Sequence, residues 1–505
     1  MARAIRHILI AGWGACLLSS CVSIDKQDVL DPLQVPQSWS ALSQSEAADV
    51  PTVSADWVGE LNNDRITALV AEAIAHNNDL NAAAANVRNA REQARIARAG
   101  ILPTISGTIG GQRTRAPGGG RVDDAGRPTF GGYSNAIDLG LNLNWEADLW
   151  GRLTDQTRAA YLDAKAADID YAASQLSIAG ATVQSFYAVT EAMLQRQLSE
   201  RDVQTGEANL RIIERRYARG ISRSLDVRLA RSSLASSRAT LLTRQQAELE
   251  AIRRLEVLLG RYPAAELLAD NNLPRLPAII DGEGKLIGLG TPEGLLFRRP
   301  DILADEQQLK AAGLRVAAAR KAFLPSLSLR GFAQESGTGI EDLLDIDEVF
   351  AQLVASLVQP LFQGGRLMAQ AGQQKALMEA SLYTYAQTVL LAYEEVENAI
   401  AAERLLTAQA EAQRIAFEEA AAAEELTNRQ YVQGTTDIFN LINAQQRRIN
   451  AESQFIAASR GQLTNRINLY LALGTPFQVP GPEEPEEDAV QLSSHRPLSV
   501  SKGDI

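Results

Sequence analysis

The chain has 505 residues and a formal net charge of −12, with 46 % hydrophobic but only 5 % aromatic residues. The length suits two or three ordinary domains, and the Ala-, Leu-, Gln-, Glu- and Arg-rich composition favours long helices over a sheet-rich globule. The acidic balance argues against a nucleic-acid partner.

Residues 1–20 read as a lipoprotein signal peptide. Arg3 and Arg6 precede a short apolar core, 8–18, which is too short to span a bilayer. It ends in Leu18-Ser19-Ser20-Cys21, a lipobox-like cleavage site that predicts a mature chain starting at a lipid-bearing, palmitate-type Cys21. A plain secretory signal is the alternative. The other cysteine, Cys16, falls in the removed segment, so no internal disulfide forms. Val22 after the cysteine leans toward outer-membrane delivery. Residues 21–63 form a proline-bearing linker.

The rest is one unit written twice. Ala97-Arg98 to Leu102-Pro103 recurs as Ala319-Arg320 to Leu324-Pro325, and Asn78-Asp79-Leu80 falls on Pro300-Asp301-Ile302. Further on, Tyr217 and Gly220 recur as Tyr431 and Gly434, and Leu259-Gly260 as Leu473-Gly474, at a slightly shorter offset. The difference is absorbed in the Gly- and Pro-rich stretch 112–132, which reads as an exposed loop between strands. The first repeat spans 64–260. A helix over 64–101, with a break near Asn77-Asn78, precedes strands at 104–112 and 136–146. A helix of about 65 residues from Arg152 leads to a tip turn at 217–226 and a returning helix. The second repeat, 292–474, has a first helix over 292–323, strands at 326–334 and 350–361, a long helix from Arg366 and a tip turn at 431–443. Residues 261–291 link the repeats. Residues 475–505, with the run Pro480 to Asp488, form a disordered acidic tail.

The stretch Ile137 to Trp145 alternates strictly, with Leu139, Leu141 and Leu143 on one face and Asp138, Asn142 and Asn144 on the other. No later segment supplies about twenty consecutive apolar residues for a membrane helix. A membrane crossing would therefore need a closed β-barrel. Four strands cannot close one, since barrels need at least about eight. Copies of the chain must seal the edges, and this arithmetic leaves two, three or four copies open.

An enzyme reading finds little. His7 lies in the signal, His495 in the tail, and His76 follows a helical stretch. There is no metal-spaced cluster, nucleophile elbow or phosphate loop, and no cofactor is implied.

Lipobox, duplicated unit, Arg298-Arg299-Pro300-Asp301-Ile302 with Glu306 following, and the tip motif Tyr-x-x-Gly together resemble the TolC-like outer-membrane factors of tripartite efflux pumps, in their OprM/NodT lipoprotein branch. The resemblance runs from about Val58 to Gly474. It implies a mixed fold of α-helix and membrane β-barrel: a homotrimer sharing twelve strands in outer-membrane lipid and a periplasmic tunnel of coiled-coil helices. The tip would dock a periplasmic adaptor (membrane fusion) protein and an inner-membrane RND transporter, and would open by untwisting. A type I secretion exit duct, or a non-channel envelope lipoprotein, is the alternative. The family's gate maps onto Tyr217, Gly220, Asp226, Tyr431, Gly434, Asn440 and Asn443. Asp226 is expected to accept a hydrogen bond from Tyr431. The Leu-Asp-Ala-Gln common in the family stands here as Ile442-Asn443-Ala444-Gln445, so the usual acidic ring is uncharged at Asn443.

Overall fold

The computed structural model describes residues 36, 39–40, 56–115, 132–267, 270, 272–274, 291–337 and 349–477. The signal peptide, Cys21, most of the N-terminal linker, 116–131, 338–348 and the acidic tail beyond Phe477 lie outside these residues.

Helix α1 (Asp64–His76) ends at Asn77, and α2 (Asn78–Ala99) starts there. Asn77 is extended (φ −64°, ψ 128°), and its side chain accepts from the N–H groups of Asp79 and Leu80. Strands β1 (Thr104–Arg115) and β2 (Tyr133–Ala147) follow, then α3 (Arg152–Ala218) and α4 (Ser224–Leu258). After a single helical turn at Pro292–Leu295 the order repeats: α5 (Pro300–Lys321), β3 (Ser326–Gly337), β4 (Phe350–Val358), α6 (Arg366–Gln433) and α7 (Ile438–Ala472).

Strands β1, β2 and β3 run one to three residues beyond their expected bounds, and three further features differ from expectation. The helix expected over 292–323 is interrupted, because the Pro300 ring forces Arg299 out of helical geometry (φ −70°, ψ 121°). Strand β4 stops at Val358 rather than 361, since Pro360 has no N–H for the ladder. The chain also stays packed beyond Gly474: Thr475 is fully buried, and Phe477 lies edge-on to Trp57.

Each half of the helical body has four columns. Next to the strands their order is α2, α3, α5, α6; farther away it is α4, α3, α7, α6. The shorter helices thus stack end to end, α4 under α2 and α7 under α5, while α3 and α6 run through. At 1.5 Å per residue the two long helices reach roughly 100 Å. Trp57, Leu69, Phe186, Tyr187, Leu255 and Ile467 build the largest core, at the level where the columns join. Trp39 of the N-terminal linker enters a second core against Tyr393 of α6.

The four strands form one antiparallel meander, β1-β2-β3-β4, whose outer strands are unpaired edges. The register pairs Ile105 with Leu143, Leu143 with Gly331, and Gly331 with Leu353. Ile109, Leu139, Leu141, Trp145, Leu329 and Leu357 therefore share a face, and Thr108, Asn142, Asn144, Ser328 and Ser356 the other. Several residues break the pattern: Arg113 and Arg115 lie on the apolar face of β1, and Val354 and Val358 on the polar face of β4. Glu335 stands on the apolar face opposite Leu139, and Phe332 packs on Phe350 on the polar face, 5.6 Å between centroids. Among the described residues no helix is long and apolar enough to cross a membrane.

Candidate functional site: the helical tip and the column joints

Farthest from the strands, both long helices reverse in the same way. Gly220 (φ +71°) and Gly434 (φ +78°) are left-handed, a conformation that glycine adopts without penalty. The following residue closes the turn: the Ile221 N–H donates to the Arg216 carbonyl at 2.9 Å, and the Thr435 N–H to the Gln430 carbonyl at 3.0 Å.

The two turns are brought together by a small core of Ile213, Val227, Ala230, Tyr431, Ile438 and Leu441. The expected tyrosines part company here. Tyr431 is buried, with the Arg216 guanidinium 4.7 Å from its ring centroid, whereas Tyr217 is half exposed. Such a cation over an aromatic face is worth about 0.5–2 kcal/mol, more as water is excluded.

Helix starts explain the acids. The Asp226 carboxylate accepts the Arg223 N–H at 2.9 Å and so caps the first turn of α4. At the matching place in the second half Asp437 caps α7, accepting the Asn440 N–H at 3.0 Å, and the Asn440 amide donates to the Thr436 hydroxyl at 3.0 Å. Position for position, Arg223 corresponds to Asp437 and Asp226 to Asn440. The carboxylate has changed places, yet each turn keeps one near its helix N-terminus. Asp437 is thus a tip acid that the motif comparison passed over. Its signal was a lone Asp three residues before Asn440. Asn443 is half buried on α7, and the nearby Gln445 accepts from the Asn209 amide at 3.0 Å.

The Arg-Arg-Pro-Asp-Ile motif sits elsewhere, at the column joint. Arg299 donates to both Asp301 oxygens at 3.0 and 2.5 Å, to Glu395 at 2.6 Å and to the Ala472 carbonyl at 3.1 Å. Burial works against its charge, but the bonds to Asp301 and Glu395 outweigh this and raise its pKa. Arg298 donates to the Gly294 carbonyl at 3.3 Å and has its pKa lowered by burial. Pro300 opens α5, and Glu306 pairs with Lys310 at 3.2 Å. The first half repeats the joint with different chemistry: the Asn77 amide donates to the Leu258 carbonyl at 2.8 Å. Gly260 and Gly474 end the returning helices against these breaks. A Cβ on Gly260 would lie 2.5 Å from the His76 carbonyl oxygen, and one on Gly474 3.1 Å from the Arg299 Cα.

This architecture has close counterparts. The outer membrane efflux protein family model matches residues 69–261 and 291–475, and the chain belongs to that family. It is 28 % identical over 466 residues to the pyoverdine export outer membrane protein OpmQ of Pseudomonas aeruginosa, covering 92 % of this chain and 96 % of that one. To the toluene efflux pump outer membrane protein TtgC of Pseudomonas putida it is 29 % identical over 471 residues, covering 91 % and 93 %. The outer-membrane channel OprN superposes with a TM-score of 0.74 at 26 % identity, covering 87 % of this chain and 97 % of that chain. The chain is accordingly an outer-membrane efflux component, as the sequence motifs led one to expect.

Proposed function

We propose that three copies of the chain form the passive exit duct of a tripartite, RND-type pump that moves small molecules from the periplasm to the exterior. The reading rests chiefly on the four-stranded sheet, which has two open edges and one apolar face and adjoins helices of 67 and 68 residues. In lipid an open edge leaves backbone groups unsatisfied, so β4 of one copy pairs with β1 of the next and three copies close twelve strands. The apolar face meets lipid and the Asn-rich face lines water. The tip meets the adaptor and the transporter, and its closed state is held where Arg216 covers Tyr431. Cargo class is left to the pump: OpmQ is named for pyoverdine and TtgC for toluene.

The mature chain is anchored by lipid at Cys21, and linker length supports this. Trp39 is seated on α6 beside Tyr393, roughly 40 Å along the helix from its membrane-side start at Arg366. The roughly 18 residues from Cys21 to Trp39 reach about 60 Å when extended, enough to return to the bilayer. Mass spectrometry of the mature N-terminus tests the anchor: an unacylated chain starting away from Cys21 removes it.

Single-channel recording in planar bilayers tests the duct. Stable conductance from the purified chain is expected, together with restoration of drug resistance in a deletion strain that retains its pump. Absence of conductance would leave an envelope tether. Conductance with rescue of protein secretion instead of drug resistance would make the chain a type I secretion duct.

A further inference from the structure

The membrane face of the sheet carries a pair of cations that the conduit does not use. Arg113 and Arg115 lie on the face of β1 that holds Ile105 and Ile109, at the end farthest from the helices. Their guanidinium carbons stand 4.7 and 5.7 Å from the centroid of one ring, Tyr133. Both arginines are exposed, and Tyr133, the register partner of Arg115, is 61 % exposed. Among the described residues no carboxylate pairs with either arginine. The one described acid on this face, Glu335, pairs in register with Leu139, nearer the helices. The other acid of this end, Asp138, points to the opposite face, where it accepts from Ser336 at 2.8 Å and Gln334 at 3.2 Å. At this distal end the cations stand outward and Asp138 inward, while Arg330, on the inward face, pairs in register with Asn144 nearer the helices.

Depth sets what the cations meet. Trp145 marks the helix-proximal limit of the apolar face, and its indole N–H donates to the Ile101 carbonyl at 2.9 Å. Tyr133 marks the distal limit. The two are roughly 40 Å apart along β2 at ~3.4 Å per residue. At a strand tilt of 35–45° that is about 30 Å across the membrane, the separation of two aromatic girdles. Arg113 and Arg115 therefore stand at headgroup level on the exterior side. Holding two like charges over one ring is unfavourable unless an anion lies between or beside them. Guanidinium forks suit phosphate oxygens. The exterior leaflet of an outer membrane is phosphorylated glycolipid, whereas phospholipid lies on the periplasmic side.

We propose that Arg113 and Arg115, held over Tyr133, bind the phosphate groups of lipid A-type glycolipid in the outer leaflet. The inference rests on the barrel reading above, because it takes this face of the sheet to be in lipid. The full-length assembly in nanodiscs is titrated with bisphosphorylated lipid A, with dephosphorylated lipid A and with phosphatidylglycerol, and bound lipid is counted by native mass spectrometry. The parent is expected to hold bisphosphorylated lipid A at least tenfold more tightly than either other lipid. R113Q/R115Q should lose that preference by roughly tenfold or more, the worth of one or two charge-assisted hydrogen bonds. R113K/R115K, which keeps the charge, should retain most of it. If R113Q/R115Q does not assemble, the lysine variant and the parent's discrimination between lipids decide the matter. Equal binding of phosphorylated and dephosphorylated lipid A by the parent overturns the site. Phosphatidylglycerol bound as tightly as lipid A overturns the glycolipid assignment. Parent assemblies that form no pore in planar bilayers overturn the barrel reading and this inference with it. A conducting parent without lipid preference overturns only this inference.

Discussion

Arg299 and Asn77 occupy the same place in the two halves and do the same work with different groups. Each breaks a column and bonds the last carbonyls of the helix stacked below it. Arg299→Ala removes four hydrogen bonds but leaves Asp301 and Glu395 half exposed, so water replaces much of the loss. A destabilisation of about 1–3 kcal/mol is expected, against about 1 kcal/mol for Asn77→Ala, read as the order of the two midpoints in thermal unfolding of detergent-solubilised protein. Reversal of that order would mean that Arg299 serves something other than the joint. A second single-residue test lies where β2 meets α3. Asp148 accepts from the N–H of Leu153 at 3.0 Å and from the N–H and hydroxyl of Thr154 at 2.7 Å each. Burial raises its pKa, but these bonds outweigh it and bring the carboxyl below its ordinary value. A depressed folded pKa gives stability that is complete above the unfolded value of about 3.9 and is lost as pH falls through the folded one. Asp148→Asn should therefore melt below the parent at pH 7, and the gap should close on acidification through the range below pH 4. A gap that is constant with pH would show that the charge is not what caps α3.

At the scale of elements, the apolar face of β2 has the sharpest expectation. Leu141 is 57 % exposed in the single chain, and Asn142 faces the other way, 3.5 Å from the Thr108 hydroxyl. Leu141→Arg should cost roughly 2–4 kcal/mol near the bilayer midplane. Asn142→Arg should insert normally and change the conductance. Equal tolerance, measured as heat-resistant assembly in membranes, would refute the assigned faces. This strand was legible in the sequence because its period-two pattern is unbroken, and the break at Asn77 because its amide is a strong helix cap. Strand β4 was read too long because Leu361 and Phe362 continue the hydrophobic run, while the proline that ends the ladder sits just before them. The interruption at Arg299 was missed for a related reason: helical periodicity passes through Pro300, which is also a good first residue for a helix. Aligning the repeats sets Asn78 on Pro300 and thereby Asn77 on Arg299, a signal that was present and not used. Asp437 escaped because a motif carried over by position does not see a carboxylate that has moved from one end of a cap to the other.

The whole molecule has one requirement that no single element meets: α3 and α6 run unbroken from the strands to the tip, so in the proposed trimer closing the tunnel would depend on contacts between the two turns. The apolar cluster around Tyr431 supplies cohesion, and Arg216 adds a charge over its ring. Two latches are distinguishable. If the cation holds the tip, Arg216→Ala opens it, and Tyr431→Phe, which keeps the ring, changes little. If the hydroxyl holds it by bonding Asp226 of a neighbouring copy, Tyr431→Phe and Asp226→Ala both open it. Within the chain Asp226 is engaged by the Arg223 N–H and Tyr431 is packed against Arg216, so the first outcome is expected. One such contact is worth about 1 kcal/mol, and three in a symmetric trimer sum to about 3 kcal/mol. That is roughly a hundredfold change in the ratio of closed to open tips. Arg216→Ala should therefore raise single-channel conductance and admit large antibiotics into cells. Asn443→Asp should leave the opening unchanged and raise cation selectivity by placing a charged ring at its level. Recordings identical to the parent from Arg216→Ala, Tyr431→Phe and Asp226→Ala alike would place the constriction away from these turns.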